Sequence, residues 1–463
     1  MPSTMPTFAH YLRSHFGYRT AVTGKMHFVG PDQLHGFEER YTTDVYPSDY
    51  GWVPDWTRPD ERVDLWYHNA GAVVQSGIAA ISNQLEYDDE VGAAALRAIY
   101  DHARRGEDAR PLCLLASFIH PHDPYAARRK YWDLYEDREI PMPTTPRPKP
   151  ADNDPHSLRL EKAMALDAVD ISDADILRAR RAYLANASYV DEWLGRLRDA
   201  LDETGLAEDT SILLIADHGD MLGERGLWYK MSFYEWSVRV PCVLYVPGRE
   251  DLRGRVVPTE VPVSQVDVLP TLLRLATDAA AAGATPKEDS SVVVELVDAI
   301  DGEDLLAIAE SGTRVVDSVV AAEYLAEAAP GQPMLMLREG RYKYTTCPGD
   351  PDQLFDLVAD PNEVDDLAKK KTSSEETTAS VLERFRARAK QHWDVDAVRT
   401  AVLESQRRRR LLTKALQTGK RQSWDWQPRR DASEEYTRSH HDLTVNDALL
   451  RWPRPPPFEP RWR

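Results

Sequence analysis

Cations and carboxylates follow three separate apolar stretches of this 463-residue sequence. Ligands of open parallel sheets bind outside the carboxyl ends of the strands, so we expect these polar side chains to meet in one crevice. One such group alone indicates little, because an Asp after a strand more often makes a turn or caps a helix. Three groups together favour a site. They are Lys25 with His27, His120 with His122, and Asp217 with His218 and Asp220.

These residue types suit attack on a tetrahedral anion such as a sulfate or phosphate ester. The non-bridging oxygens of the ester need cations, which Lys25 and Lys230 could provide. The leaving oxygen needs a proton, which His27 or His122 could supply because the unperturbed pKa of histidine is about 6.5. The Asp217 carboxylate is an oxygen ligand of the kind that Ca²⁺ or Mg²⁺ prefers, so we expect a divalent ion beside it.

Both strands and helices are predicted around these residues. Apolar runs of strand length alternate with stretches of helical period, which predicts an α/β fold with a mostly parallel sheet flanked by helices. Gly17 and Gly205 are each expected to end a helix, and Asp88 is expected to be the N-cap of another. The predicted strands cover 18–23, 112–118, 211–215 and 241–246, and the predicted helices cover 7–16, 88–105, 176–201 and 268–276.

The chain divides into three predicted parts. Residues 1–330 form the α/β domain, which includes an Ala-rich and acidic insertion at 277–302. Residues 331–395 form a small C-terminal α+β subdomain that begins with a hairpin around Gly340. Residues 396–463 form an extended C-terminal arm.

Composition and charge exclude several classes of function. The 57 Lys and Arg against 76 Asp and Glu give a formal charge of −19, which disfavours binding to nucleic acid or to an anionic membrane surface. The 3 cysteines have no Cys-x-x-Cys spacing, so neither a zinc site nor a disulfide framework is expected. No apolar run of eighteen residues and no signal-peptide pattern occurs, so we expect a cytoplasmic location.

Four segments together resemble the choline sulfatases, which belong to the sulfatase branch of the alkaline phosphatase superfamily. The most specific is DHGDMLGERGLWYK at 217–230, and the resemblance extends over nearly the whole chain. The other segments are GKMHFVGPDQLHGFE at 24–38, SFIHPHDPY at 117–125 and LFDLVADP at 354–361. An arm containing ESQRRRR at 404–410 is also similar.

The resemblance implies a role for each matching residue. It implies that Asp217 and His218 lie at a divalent metal ion, for which we expect Ca²⁺ first, with Mg²⁺ or Mn²⁺ as alternatives. His218 stands where many sulfatases have Asn. The sulfate group or the leaving oxygen would be contacted by Lys25, His27, His122 and Lys230. His120 has an equal claim to a structural role. The similar arm implies a homo-oligomer.

The substrate implied by the resemblance is choline-O-sulfate, hydrolysed to choline and sulfate. Aromatic faces recognise a quaternary ammonium group, and the sequence is dense in them between 46 and 69. The resemblance implies substrate contacts from Trp52, His68 and Asn69. An aromatic cluster in this position is also compatible with a packed core. The nearest rival is a phosphate or phosphonate monoester hydrolase of the same superfamily, because the oxygen-binding residues are shared.

One family feature is missing from this sequence. Sulfatases attack with a formylglycine made from a Cys/Ser-x-Pro-x-Arg motif, and no such motif occurs here. The strand that ends in the family's paired Asp ligands is also missing, and Asp88-Asp89 is expected to begin a helix instead. We expect this sequence to be an N-terminally shortened form of the sequence of an active enzyme. The alternative is a catalytically inactive remnant that acts in binding or assembly.

Overall fold

The computed structural model describes residues 2–50, 54–58, 67–105, 110–283, 294, 296–314, 319–326, 331–370, 376–419 and 443–455. Trp52 lies outside the described residues. Within them, no helix is both long and apolar enough to cross a membrane.

A parallel three-stranded sheet carries the first two groups of site residues. Its middle strand, β1 (Arg19–Gly24), is buried along its whole length and pairs with β2 (Glu39–Arg40) on one side and β4 (Leu112–Ser117) on the other. The register places Gly24 opposite Ser117, so β1 and β4 end side by side. The residues that follow both strands therefore emerge at the same edge, as the sequence predicts.

The third group follows a strand that belongs to a separate pair. β6 (Ile212–Ile215) pairs with β7 (Cys242–Tyr245) in antiparallel orientation, whereas the sequence pattern predicts mostly parallel pairing. Several apolar side chains of this pair face solvent, with Val243 58% and Tyr245 56% exposed. Neither strand pairs with the three-stranded sheet within the described part of the chain.

Two long helices pack together beside the parallel sheet. The helix α3 (Asn83–Ala103) begins at Ser82, whose side chain accepts a hydrogen bond from the Leu85 amide. The expectation that Asp88 is the N-cap is therefore wrong: Asp88 lies one turn inside the helix and is fully buried. The helix α6 (Asp173–Thr204) begins with a capping box at Ser172 and ends at Gly205, which adopts the left-handed conformation as predicted.

The C-terminal part forms its own antiparallel sheet, in the order β11, β10, β9, β8. The predicted hairpin is present, with β9 (Met334–Glu339) and β10 (Tyr342–Thr346) joined at Gly340. The strand β8 (Val319–Tyr324) belongs to this sheet but lies before the predicted boundary at residue 330. The fourth strand is β11 (Gln353–Asp356), and the helix α10 (Glu376–His392) packs against the sheet.

The remaining elements are short, apart from two helices. The short strands are β3 (Gly77–Ile78) and β5 (Ala126–Ala127). The remaining helices are α1 (Phe8–Phe16), α2 (Ala70–Val74), α4 (Arg129–Trp132), α5 (Pro155–Ala163), α7 (Glu235–Val238), α8 (Val268–Ala281), α9 (Leu305–Ser311), α11 (Val395–Leu416) and α12 (Leu443–Leu450).

Candidate functional site

Backbone contacts at the end of β1 fix the position of Lys25. The Lys25 amide donates to the Ser117 carbonyl at 3.0 Å, which keeps the backbone against β4. Gly24 has φ +104°, and a Cβ atom built there would lie 1.9 Å from the Ser117 oxygen. Only glycine fits this approach, so the position at the strand end is fixed by sterics.

A buried carboxylate holds the segment after Lys25. Asp44 is 1% exposed, and its Oδ2 accepts hydrogen bonds from the amides of Met26 and His27 at 3.0 and 2.9 Å. The same oxygen accepts from the Arg40 guanidinium at 3.0 Å, while Oδ1 accepts from the Tyr46 amide. Asp44 thus ties the Lys25–His27 segment to the chain that follows β2. Asp44 carries no local signal of this role in the sequence.

Asp217 and Lys25 meet although 192 residues separate them. The Lys25 ammonium lies 2.9 Å from Asp217 Oδ2, and the lysine side chain is only 10% exposed. Burial alone would raise the pKa of Asp217, but the Lys25 charge and, at the low pH where this carboxyl group titrates, the protonated His218 ring lower that pKa. The carboxylate is therefore ionised at neutral pH, as an ion ligand or a partner for a cation must be.

His218 presents one ring nitrogen towards Asp217. Its Nδ1 lies 2.8 Å from the Gly219 carbonyl, so Nδ1 carries the proton, and Nε2 keeps its lone pair 3.5 Å from Asp217 Oδ2. This Nε2 is buried and has no hydrogen-bond partner in the described part of the chain. Burial and the nearby Lys230 charge lower the pKa of His218 to about 4, so the ring is neutral at pH 7.

These two side chains fit a divalent cation. A histidine ligand commonly donates its second ring nitrogen to a carbonyl, as His218 does to Gly219. An ionised carboxylate oxygen beside an unpartnered imidazole nitrogen is a mixed donor pair, while Ca²⁺ prefers oxygen ligands alone. Two ligands do not complete a coordination sphere.

Lys230 and His122 form the second half of the site. The Lys230 ammonium donates to His122 Nε2 at 2.9 Å across 108 residues of sequence. Burial lowers the pKa of Lys230 to about 8, and the nearby Lys25 charge acts in the same direction. Burial and both lysine charges lower the pKa of His122 well below its usual value. At neutral pH the pair therefore holds a charged lysine and a neutral histidine.

Asp220 organises the loop that delivers Lys230. Its Oδ1 accepts from the amides of Leu222 and Tyr229, and its Oδ2 accepts from the Tyr125 hydroxyl at 2.8 Å. Burial raises the pKa of Asp220 to about 6 despite these bonds. Tyr229 has φ +65°, a strained value for a side chain of this size. The loop geometry is therefore maintained by its surroundings.

Aromatic rings line the space between these charges. Tyr46 stacks on His27 with ring centroids 4.5 Å apart, and the Lys25 ammonium lies 5.4 Å from the centre of the same ring. Tyr67 stacks on His122 at 6.5 Å, and Tyr229 lies 5.0 Å from His68. These three tyrosines were not among the residues predicted to contact substrate, although Tyr46 and Tyr67 lie in the dense aromatic segment.

The remaining predicted residues have distinct positions. His68 lies at the site, with Nδ1 3.0 Å from Asp123 Oδ1. Asn69 is the N-cap of α2, where its side chain accepts from the Gly71 amide. His120 donates or shares a proton with Asp88 at 2.6 Å and is fully enclosed, which supports its structural reading. The predicted contact from Trp52 falls outside the described residues.

Two family models and several known proteins match this chain. A family model described as Sulfatase matches residues 1–279, and one described as Choline sulfatase enzyme C terminal matches residues 400–452. A choline-sulfatase from Rhizobium meliloti (strain 1021) is 45% identical over 456 residues, which span 98% of this chain and 84% of that protein. An arylsulfatase from Clostridium perfringens (strain 13 / Type A) is 24% identical over 76% of this chain and 71% of its own.

Solved structures show the same fold. A phosphonate monoester hydrolase of Agrobacterium radiobacter superposes with a TM-score of 0.61 over 85% of this chain and 82% of its own. A second phosphonate monoester hydrolase, from Silicibacter pomeroyi, gives 0.60 over 85% and 80%. Both are 20% identical to this chain, so they establish the fold alone.

Proposed function

The chain belongs to the sulfatase family, and on that premise we propose that its site binds choline-O-sulfate for hydrolysis to choline and sulfate. The observation that carries this proposal is the convergence of charges from three distant sequence segments. Lys25 lies against Asp217, and Lys230 lies against His122. The two pairs adjoin, with the rings of His122 and His218 5.6 Å apart, so the two ammonium groups form a site for an oxyanion.

The two lysines would bind the non-bridging sulfate oxygens. An ammonium group has three N–H donors, and each lysine uses one in the bond described above, so each retains donors for sulfate. Both side chains are mostly enclosed, which strengthens a charge-assisted hydrogen bond relative to one in water. When bound to Asp217 and His218, a divalent ion would add positive charge next to the sulfate.

Proton transfer to the leaving oxygen would use the Lys230–His122 pair. Lys230 has a pKa of about 8 and already points a proton at His122 Nε2. A bound anion favours protonation of nearby groups, so sulfate binding would raise the pKa of both members of the pair. The proton could then reach the alkoxide of choline from either group. His27, whose pKa burial lowers to about 4, is neutral at pH 7 and suits acceptance of a proton.

Aromatic faces would hold the choline head group. A quaternary ammonium has no N–H to donate, so it is bound by ring faces at about 0.5–2 kcal/mol per contact. Tyr67 is partly exposed and stacks on His122, and Tyr229 lies beside His68. Trp52, His68 and Asn69 remain proposed substrate contacts on the family resemblance. The Asn69 amide already caps α2, so a backbone-positioning role is the alternative for that residue.

The attacking group is not encoded in these 463 residues. The sequence has no Cys/Ser-x-Pro-x-Arg motif. Burial raises the pKa of all three cysteines, to about 12 for Cys113 and Cys347, which disfavours nucleophilic attack by their thiols. This observation favours a second candidate function for the chain as given, which is binding of the sulfate ester without turnover. Hydrolysis by the route that sulfatases use would require a formylglycine.

Binding and turnover measured on the same protein test this proposal. Isothermal titration calorimetry should detect choline-O-sulfate and should give weaker binding for phosphocholine and for choline alone. Sulfate release from choline-O-sulfate should be undetectable for the 463-residue protein. Tighter binding of phosphocholine would overturn the sulfate assignment and favour a phosphate ester hydrolase. Measurable sulfate release would overturn the statement that the nucleophile is missing.

A further inference from the structure

We propose that Asp123 is a positioning residue that orients two site histidines, His68 through its carboxylate and His122 through its backbone carbonyl. The proposal depends on the proposed function only for what the two rings act on. The orientation itself follows from contacts among these three side chains and can be measured without substrate.

The carboxylate lies between the two rings. Asp123 Oδ1 is 3.0 Å from His68 Nδ1 and 3.0 Å from His122 Nδ1, and the centroids of the two imidazoles are 5.2 Å apart. All three side chains are largely enclosed, and Asp123 is 3% exposed. An ionised carboxylate oxygen can only accept a hydrogen bond, so the neutral His68 ring interacts favourably with it when Nδ1 carries the proton.

His122 has a second contact that requires the same tautomer. Its Nε2 accepts from the Lys230 ammonium at 2.9 Å, and an N–H at that position would place two donors against each other. Its Nδ1 also lies 2.8 Å from the Asp123 backbone carbonyl. Asp123 and Lys230 therefore specify the proton position of His122 from opposite sides of the ring.

The consequence is that both rings direct Nε2 away from Asp123. For His122, Nε2 is the atom that meets Lys230 and lies 3.4 Å from the Tyr46 hydroxyl. For His68, the ring is held beside Tyr229. One residue thus contacts both the histidine that meets Lys230 and a histidine on the aromatic side of the site. Asp123 touches neither reacting atoms nor substrate in this account.

Metal binding by the same three residues would require a different protonation state of the two histidines. The ligand atoms of His68, His122 and Asp123 all lie within 4.8 Å of one another, which is compatible with a shared ion. A metal on both Nδ1 atoms would displace their protons. The Lys230 charge beside His122 disfavours a cation there, so we expect the protonated arrangement.

Nitrogen NMR of histidine-labelled protein distinguishes these states. Long-range ¹H–¹⁵N correlation at pH 7.5, with signals assigned from the His68→Gln and His122→Gln variants, should show the Nδ1–H tautomer for both rings in the absence of ligand. Finding the Nε2–H tautomer for either ring, or metal-shifted nitrogens without attached protons in protein free of added metal, would overturn the proposal.

Two substitutions of Asp123 then separate positioning from packing. In Asp123→Ala, His68 should lose its uniform Nδ1–H tautomer, while His122 should keep it through the backbone carbonyl and Lys230. Asp123→Asn retains an acceptor oxygen and should restore the His68 signal at least in part, and it serves if the alanine variant does not fold. The matched control is Asp32→Asn, whose carboxylate lies 3.3 Å from His35 Nδ1, and it should leave both site histidines unchanged. Unchanged His68 tautomer in both Asp123 variants would contradict the proposal.

Discussion

The affinity for choline-O-sulfate should fall as pH rises above 8, because Lys230 must be protonated to bind the anion. Burial lowers the pKa of Lys230 to about 8, so about 90% of the side chain is charged at pH 7 and about 10% at pH 9. If only the charged form binds, the association constant should fall about tenfold between these pH values. The ligand does not titrate in this range, so the change belongs to the protein.

Calorimetry in buffers of different ionisation enthalpy measures both the affinity and the proton uptake. Proton uptake per ligand should rise from near zero at pH 7 towards one at pH 9. Lys230→Arg keeps its charge throughout this range, so its affinity should not depend on pH. Lys230→Met should bind about 10- to 150-fold more weakly at pH 7, the worth of one charge-assisted hydrogen bond of about 1.5–3 kcal/mol.

Two results would refute this reasoning. One is a wild-type affinity that does not change between pH 7 and pH 9. The other is a pH dependence that persists in Lys230→Arg, which would assign the titration to another group. Lys25→Arg is the matched comparison, because it preserves the charge of the second lysine and should retain the wild-type pH dependence.

Three further predictions concern stability, metal binding and assembly. Asp44→Asn replaces a buried carboxylate that accepts hydrogen bonds from Arg40 and from the Met26 and His27 amides. Urea unfolding should therefore show a free energy of unfolding lower by about 3–5 kcal/mol. A decrease below about 1 kcal/mol would contradict its organising role. Asp217→Asn should lower the affinity for Ca²⁺ and Mn²⁺ by on the order of tenfold or more in calorimetry, because the ionised ligand is lost, whereas the surface variant Asp251→Asn should match wild type. We also propose a homo-oligomer through the arm, in which Leu411 and Leu412, 69% and 48% exposed on α11, become covered. Deleting the residues after Arg410 should lower the sedimentation coefficient beyond the loss of mass, and an unchanged oligomeric state would exclude this interface.

The meeting of the Lys25 and His122 segments was accessible from sequence because it follows from a rule of topology. Residues after parallel strands share one edge of the sheet, and β1 and β4 end in register at Gly24 and Ser117. The left-handed glycines at the ends of α1 and α6 were predictable for a local reason, since glycine tolerates positive φ.

Other features depend on long-range contacts that leave little local signal. Asp88 resembles an N-cap by type, but its carboxylate instead accepts from the Ile119 and His120 amides more than thirty residues away. Ser82 was the better candidate, since its hydroxyl lies three residues before the Leu85 amide that it caps. The roles of Asp44 and Asp123 appear only when distant segments are brought together. The antiparallel pairing of β6 with β7 likewise depends on where each strand lies across the fold.

The most direct measurement is calorimetric titration of choline-O-sulfate into the wild-type protein and into the Lys25→Met and Lys230→Met variants at pH 7. If both lysines bind the sulfate group in one site, the wild type should bind one equivalent and each single variant should bind more weakly. Phosphocholine should not compete effectively. Equal affinity in all three proteins would mean that these lysines do not bind the sulfate, which would contradict the proposed sulfate-binding site.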